Sequence, residues 1–164
     1  MKISAQEEYG LRCLVQLANL SDGQSLTLPQ IAAREGISGA NAGKLMWLLN
    51  KAGFVTSTRG TKGGYVLSRP ATEIRLSEII RVLDQDVLSK HCDSYTGVRE
   101  SCVHKGDCAI RPVIVGLHEI VEHALSQITL GQLVGNESKV VEMFHKIEGI
   151  HRTVEPMANR QQVS

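Results

Sequence analysis

Apolar residues recur three and four positions apart along most of this chain, and in one short stretch the pattern turns to β-prone runs separated by glycine. Leu11, Leu14, Val15 and Ala18 form an apolar stripe that predicts a helix over residues 5–20. Ser4-x-x-Glu7 opens it as a capping box, the hydroxyl accepting the amide three residues on while the carboxylate reaches back. Thr27-x-x-Gln30 repeats the signal and Gly36 supplies a left-handed stop, predicting a two-turn helix over 28–35. Ser38 caps a third helix, which Gly53 ends. In it Ala42, Leu45, Met46 and Leu49 face inward, with Asn41, Lys44, Leu48 and Lys51 on the opposite side. Two short helices joined through Gly36-Ile37-Ser38 fit a helix-turn-helix.

The β-prone runs 54–57 and 65–68 flank Arg59-Gly60-Thr61-Lys62-Gly63-Gly64, a turn able to take positive φ, which predicts a hairpin with a basic tip. Leu76, Ile79, Ile80 and Leu83 mark a further short helix. Val113, Leu117, Ile120, Val121, Ala124 and Ile128 then hold a helical stripe over about four turns, with Pro112 where a first turn tolerates it. A helix this long and one-sided calls for a partner surface. Thr129-x-x-Gln132 starts another short helix, and Val140, Met143, Phe144 and Ile147 mark a last one. The expected fold is mainly α with a small β-hairpin: a winged helix-turn-helix domain over 1–84, a cysteine-rich loop over 85–111, a long dimerisation helix with C-terminal helices over 112–148, and a mobile polar tail over 149–164.

A length of 164 residues suits one compact module with an appendage. No apolar run approaches a membrane span, and the opening MKISAQEEYG carries acid where a secretion signal needs an apolar core, so a cytoplasmic protein is expected. The net charge of +1 hides an asymmetry, because nine basic residues face five acidic ones up to Arg75. The N-terminal half is therefore the half suited to a polyanion. In a helix-turn-helix the second helix enters the major groove of double-stranded DNA. That places Ser38 and Lys44 for phosphate or guanine and Asn41 for adenine, with the small Gly39 and Ala40 permitting close approach. Arg59, Thr61 and Lys62 form the wing tip, suited to the minor groove or the backbone. The plainer alternative is a small α+β core whose cations are simply solvated. Trp47 reads as a core or interface anchor.

Cys92, Cys102 and Cys108 fall within seventeen residues of charged, Gly-containing sequence, far from Cys13, which sits in a helical apolar segment and reads as core. In a reducing compartment such thiols are ligands or redox centres before they are disulfides. Cys-x9-Cys-x5-Cys is too widely spaced for paired zinc knuckles and better suits a loop around an iron-sulfur cluster, which usually takes four protein ligands. Glu8, His91 and His104 are candidates for the fourth. Glu8 stands three and seven residues before Leu11 and Val15, placing it along the apolar stripe of the first helix, where a carboxylate needs a partner such as Arg12 or a metal. A zinc site or a thiol switch on the same DNA-binding frame is the alternative. A redox enzyme or electron carrier fits poorly, since no nucleotide-binding glycine fingerprint follows a strand and no nucleophile-base pair is visible.

Together MKISAQEEYGLRCL, IAAREGIS, LNKAGFVTSTRGTKGGYVLSRPA, IRLSEIIRVLD, the three-cysteine loop and ITLGQLV resemble the IscR, NsrR and RirA family of bacterial iron-sulfur transcription repressors, over roughly residues 1–135. The resemblance implies a homodimer packed through the long helix, with a cluster controlling operator binding and Arg59 at the family's minor-groove position. It also implies a carboxylate ligand at position 8 supplied across the dimer, so that Cys92, Cys102, Cys108 and Glu8 of the partner subunit would hold a [2Fe-2S] cluster, with [4Fe-4S] as the other nuclearity. The chain departs from the family pattern at Arg111, where the histidine that follows the last cysteine by three positions would stand, and at Gly39, Asn41, Gly43 and Lys44 of the third helix.

Overall fold

The computed structural model describes residues 3–58, 63–84, 102–104 and 107–144. The hairpin tip Arg59, Thr61 and Lys62, the loop residues His91 and Cys92, and the tail over 149–164 lie outside the described residues. Helix α1 spans Ala5–Ala18, with both halves of its capping box formed: the Glu7 amide donates to Ser4 Oγ at 3.2 Å and the Ser4 amide to Glu7 Oε2 at 2.7 Å. It stops two residues short of the expected end, at Asn19, whose side chain bonds back to the Val15 carbonyl.

The buried face of α1 differs from the one its apolar stripe suggests. Glu7, Gly10, Cys13, Leu14 and Leu17 point inward, while Leu11, Val15 and Ala18 flank the core half-buried. Gly10 is the cause. A Cβ built there would lie 2.4 Å from Leu83 Cδ1, so the bare glycine lets α4 (Leu76–Leu83) seat a fully buried leucine directly on the α1 backbone. Glu8 is consequently exposed, which corrects the expectation that it lies along the apolar face.

Helix α2 (Leu28–Glu35) ends at Gly36 with φ +65°, and α3 (Gly39–Lys51) follows, capped by Ser38 Oγ, which accepts the Asn41 amide at 3.2 Å. Ala42, Leu45, Met46 and Leu49 are all buried, as the spacing requires. Strands β1 (Val55–Thr58) and β2 (Gly64–Leu67) pair antiparallel, with Val55 opposite Leu67 and Thr58 opposite Gly64. Leu26 joins the hairpin by exchanging backbone bonds with Tyr65 at 2.7 and 3.1 Å.

A 3-10 turn (Ala71–Glu73) leads into α4, and the next helix described is the long α5 (Ile110–Ser126). Beyond α5 the backbone returns to the first module. The Leu76 amide donates to the Ile128 carbonyl at 2.9 Å and the Leu130 amide to the Ile74 carbonyl at 2.8 Å, and Ile128 and Leu130 are buried in the same core as Leu14, Leu45 and Ile79. The segment opened by Thr129 is a 3-10 turn (Leu130–Leu133), followed by α6 (Glu137–Phe144).

Replacing Gly10 by alanine is expected to lower unfolding free energy by about 1–3 kcal/mol, read by urea denaturation, because the added methyl must displace Leu83 within a filled core. A second expectation concerns Glu78, whose carboxylate is held below its usual range chiefly by a hydrogen bond from Arg69, at the exit of the hairpin. A depressed native pKa contributes stability above the unfolded value that is lost as pH falls through the native one. Glu78→Gln should therefore melt slightly below the wild type at pH 7, with the two converging only as the pH falls below the ordinary carboxylate range.

Candidate nucleic-acid interface and cysteine segment

With its core face fixed, α3 presents a defined outward face. At 3.6 residues per turn, the line opposite the buried residues runs through Ala40, Lys44, Trp47 and Lys51, all exposed, with Asn41 on one flank. Asn41 and Lys44 are thus solvent-facing on the first two turns, as their spacing predicts. Ser38 is exposed but its hydroxyl already serves the helix cap, and Leu48, expected on the outer side, is half-buried. Trp47 is not a core residue: it is 59% exposed, with Lys51 Nζ 5.2 Å from its ring centroid.

The hairpin is fixed relative to α3. Asn50 Nδ2 donates to the Val55 carbonyl at 3.0 Å, tying the end of the helix to β1. Thr58 Oγ1 accepts the Gly64 amide at 3.1 Å and donates to the Gly64 carbonyl at 3.2 Å, closing the neck of the hairpin. The neck itself is tight. A Cβ on Gly64 would lie 2.7 Å from the Leu26 carbonyl oxygen, so glycine is required for Leu26 to pair there.

The described thiols fall into two environments. Cys13 is fully buried, and burial first, then the nearby Glu35 carboxylate, push its thiol up to about 12, so it stays protonated and behaves as a small hydrophobe. Cys102 and Cys108 are half-buried free thiols just ahead of α5, where the Cys108 carbonyl accepts the Arg111 amide at 3.3 Å. His104, the candidate ligand between them, is exposed, and its carbonyl accepts the Asp107 amide at 3.2 Å. Glu8 is paired with Arg12 at 2.7 Å, each side chain about half exposed, and the Arg12 guanidinium also lies 5.5 Å over the Tyr9 ring. Among the described residues, no three His, Cys, Asp or Glu side chains of one chain converge on a common point.

Two contacts not visible in the sequence pattern join these parts. Gln6 Nε2 donates to the Leu83 carbonyl at 2.8 Å, so the point where the chain leaves α4 toward the cysteines is held against the first turn of α1. Arg81 on α4 pairs with Glu122 on α5 and keeps that carboxylate below its usual range, with His118 Nε2 3.6 Å away. On α5 the expected stripe is present, but Ile110, Val113, Leu117 and Ile120 are exposed in the single chain, whereas Ile128 is buried after the helix has ended. No helix among the described residues is long and apolar enough to cross a membrane.

Comparison with known proteins agrees with this architecture. The family model described as "Rrf2: Iron-dependent Transcriptional regulator" matches residues 3–136. Protein rrf2 of Nitratidesulfovibrio vulgaris is 30% identical over 84% of this chain and 90% of its own length. The HTH-type transcriptional regulator IscR of Serratia proteamaculans is 30% identical over 93% of this chain and 91% of its own. Among solved structures, T. potens IscR superposes with a TM-score of 0.65 at 28% identity, covering 91% of this chain and 94% of that one. CymR, the global cysteine regulator of B. subtilis, does so with a TM-score of 0.62 at 31% identity, covering 81% and 95%. These relatives are regulators of transcription and not enzymes, and the winged helix-turn-helix with its antiparallel hairpin is the fold they share with this chain. The chain belongs to the Rrf2 family of DNA-binding transcriptional regulators.

Proposed function

We propose that this regulator is a cytoplasmic homodimer that represses transcription under the control of an iron-sulfur cluster, reporting redox state, nitric oxide, oxygen or iron. The observation that carries the reading is the arrangement around α5. Two accessible thiols, Cys102 and Cys108, stand immediately before a helix whose apolar line Ile110, Val113, Leu117 and Ile120 is open to solvent in one chain. A second copy of α5 is the natural cover for that line.

The donor chemistry fits the cluster. Thiolates are the ordinary ligands of iron-sulfur centres, and Cys102 and Cys108, with Cys92, supply three. For the fourth position we take Glu8 of the partner subunit, as the family resemblance implies, with His104 and His91 as the other candidates. A bound cluster supplies a redox couple and a lability set by its weakest ligand, here a hard carboxylate among soft thiolates. The protein residues provide the linkage to DNA. Gln6 and Gly10 hold α1 against α4, Arg81 holds α4 against Glu122 of α5, and α1 and α4 pack in the core that carries α3. A change at the cysteine segment is thereby passed to the spacing of two reading helices, to which half-site binding is sensitive.

A thiol switch on the same frame is the second reading, favoured by the likeness to Staphylococcus aureus CymR, solved in an oxidised form with a TM-score of 0.65 and 29% identity over 83% of this chain. Visible absorption, iron and acid-labile sulfide, measured on protein purified without oxygen, decide between them. The cluster reading expects a coloured protein with about two irons and two sulfides per chain, bleached in Cys102→Ala and Cys108→Ala and spectrally altered in Glu8→Ala. A colourless protein containing stoichiometric zinc, or no metal at all after anaerobic handling, would remove the cluster from the account.

A further inference from the structure

Trp47 is the single tryptophan of the chain, and it is 59% exposed on α3. On α5 the exposed Ile110, Val113, Leu117 and Ile120 share one line of one helix. Trp47 instead lies on the outward line of α3 between two cations, Lys44 one turn before it and Lys51 one turn after, with the Lys51 ammonium over its ring. Such an environment is a poor fit for a protein-protein contact core, which is depleted in charge, and a good fit for a polyanion that also offers apolar surface. A DNA groove wall has both, in its phosphates, its deoxyribose faces and its thymine methyl groups.

The geometry of the helix supports the same occupant. At a rise of about 1.5 Å per residue, Trp47 sits roughly 9 Å along the axis from Asn41 and 4.5 Å from Lys44. The major groove is about 12 Å wide. If the first turn of α3 meets base edges, the third turn reaches the wall of the groove, where a ring can pack on sugar and thymine methyl while its Nε1–H donates to a phosphate oxygen. The cation-π contact with Lys51 limits the rotation of the indole before DNA arrives, which reduces the ordering cost of binding.

We propose that Trp47 is a DNA-contact residue of α3, packing its indole against the groove wall between the phosphate-facing Lys44 and Lys51. The proposal rests on α3 being the element that enters the groove. The chain carries its own probe, because all tryptophan emission comes from this position. The full-length protein would be titrated with a duplex that it selects from a randomised pool, following emission and its quenching by acrylamide. Free protein should be readily quenched, and saturating duplex should both reduce emission and shield the ring. Trp47→Ala should bind the same duplex about tenfold more weakly with unchanged melting temperature and unchanged sedimentation, and Trp47→Phe should retain most of the affinity. Unchanged acrylamide access at saturating duplex, with Trp47→Ala binding as tightly as the wild type, would overturn the proposal while leaving the groove-reading helix intact. A shift of Trp47→Ala from dimer to monomer in sedimentation would also overturn it, assigning the ring to a subunit contact. Failure of the wild type to select any duplex would remove the underlying reading and this proposal together.

Discussion

Ala42, Leu45, Met46 and Leu49 leave α3 one way to pack, and that packing decides which of its side chains face solvent. Each of the three large side chains gains roughly 1.5–3 kcal/mol by burial, and a rotation of the helix by one residue would carry that face about 100° out of the core. No exposed residue of α3 contributes anything comparable. The direction of Lys44, Trp47 and Lys51 is thus set from behind, by apolar groups that never meet the ligand. Asn50 extends the same constraint to the hairpin by bonding the Val55 carbonyl, which ties β1 to the end of α3.

The regulatory half of the chain is tied to this body at two levels. Backbone bonds between 74–76 and 128–130 bring the chain home after α5 and bury Ile128 and Leu130 in the first module's own core. Closer to the cysteines, Leu83 packs on bare Gly10, and its carbonyl is held by Gln6. Both contacts involve the end of α4, where the chain sets out toward its cysteine segment. Packed cores pass on displacement because they have few alternative arrangements. The Arg81–Glu122 pair adds an exposed, salt-sensitive link between α4 and α5, more useful for orientation than for stability.

Much of this frame could be read from the sequence because the signals were local. The serine caps at Ser4 and Ser38, the reach of Gln30 back to the Thr27 amide, the left-handed Gly36 and the inward residues of α3 each depend on neighbours within a few positions, and each is found as expected. The departures have tertiary causes. The apolar stripe of α1 misplaced its buried face, since the deciding feature was Gly10, whose role exists only because Leu83 arrives from seventy residues away in sequence. The same rotation put Glu8 outside, where Arg12 satisfies it. The exposure of Trp47 excludes the core placement its residue type suggests, and its position midway between Lys44 and Lys51 marks the outer line of α3. Of the three clustered cysteines, Cys102 and Cys108 precede α5 as half-buried thiols, while Cys92 and the basic tip Arg59, Thr61 and Lys62 fall outside the described residues.

The central claim is that the outward face of α3 meets DNA phosphate and base directly. Its most direct test is the salt dependence of affinity for a selected duplex, compared between the wild type and Lys44→Ala. Loss of one phosphate contact should weaken binding at low salt and reduce the slope of log affinity against log salt by about one, with the fold and dimer unchanged. Equal affinity and equal slope for the two proteins would contradict the account and move the DNA-reading surface away from α3.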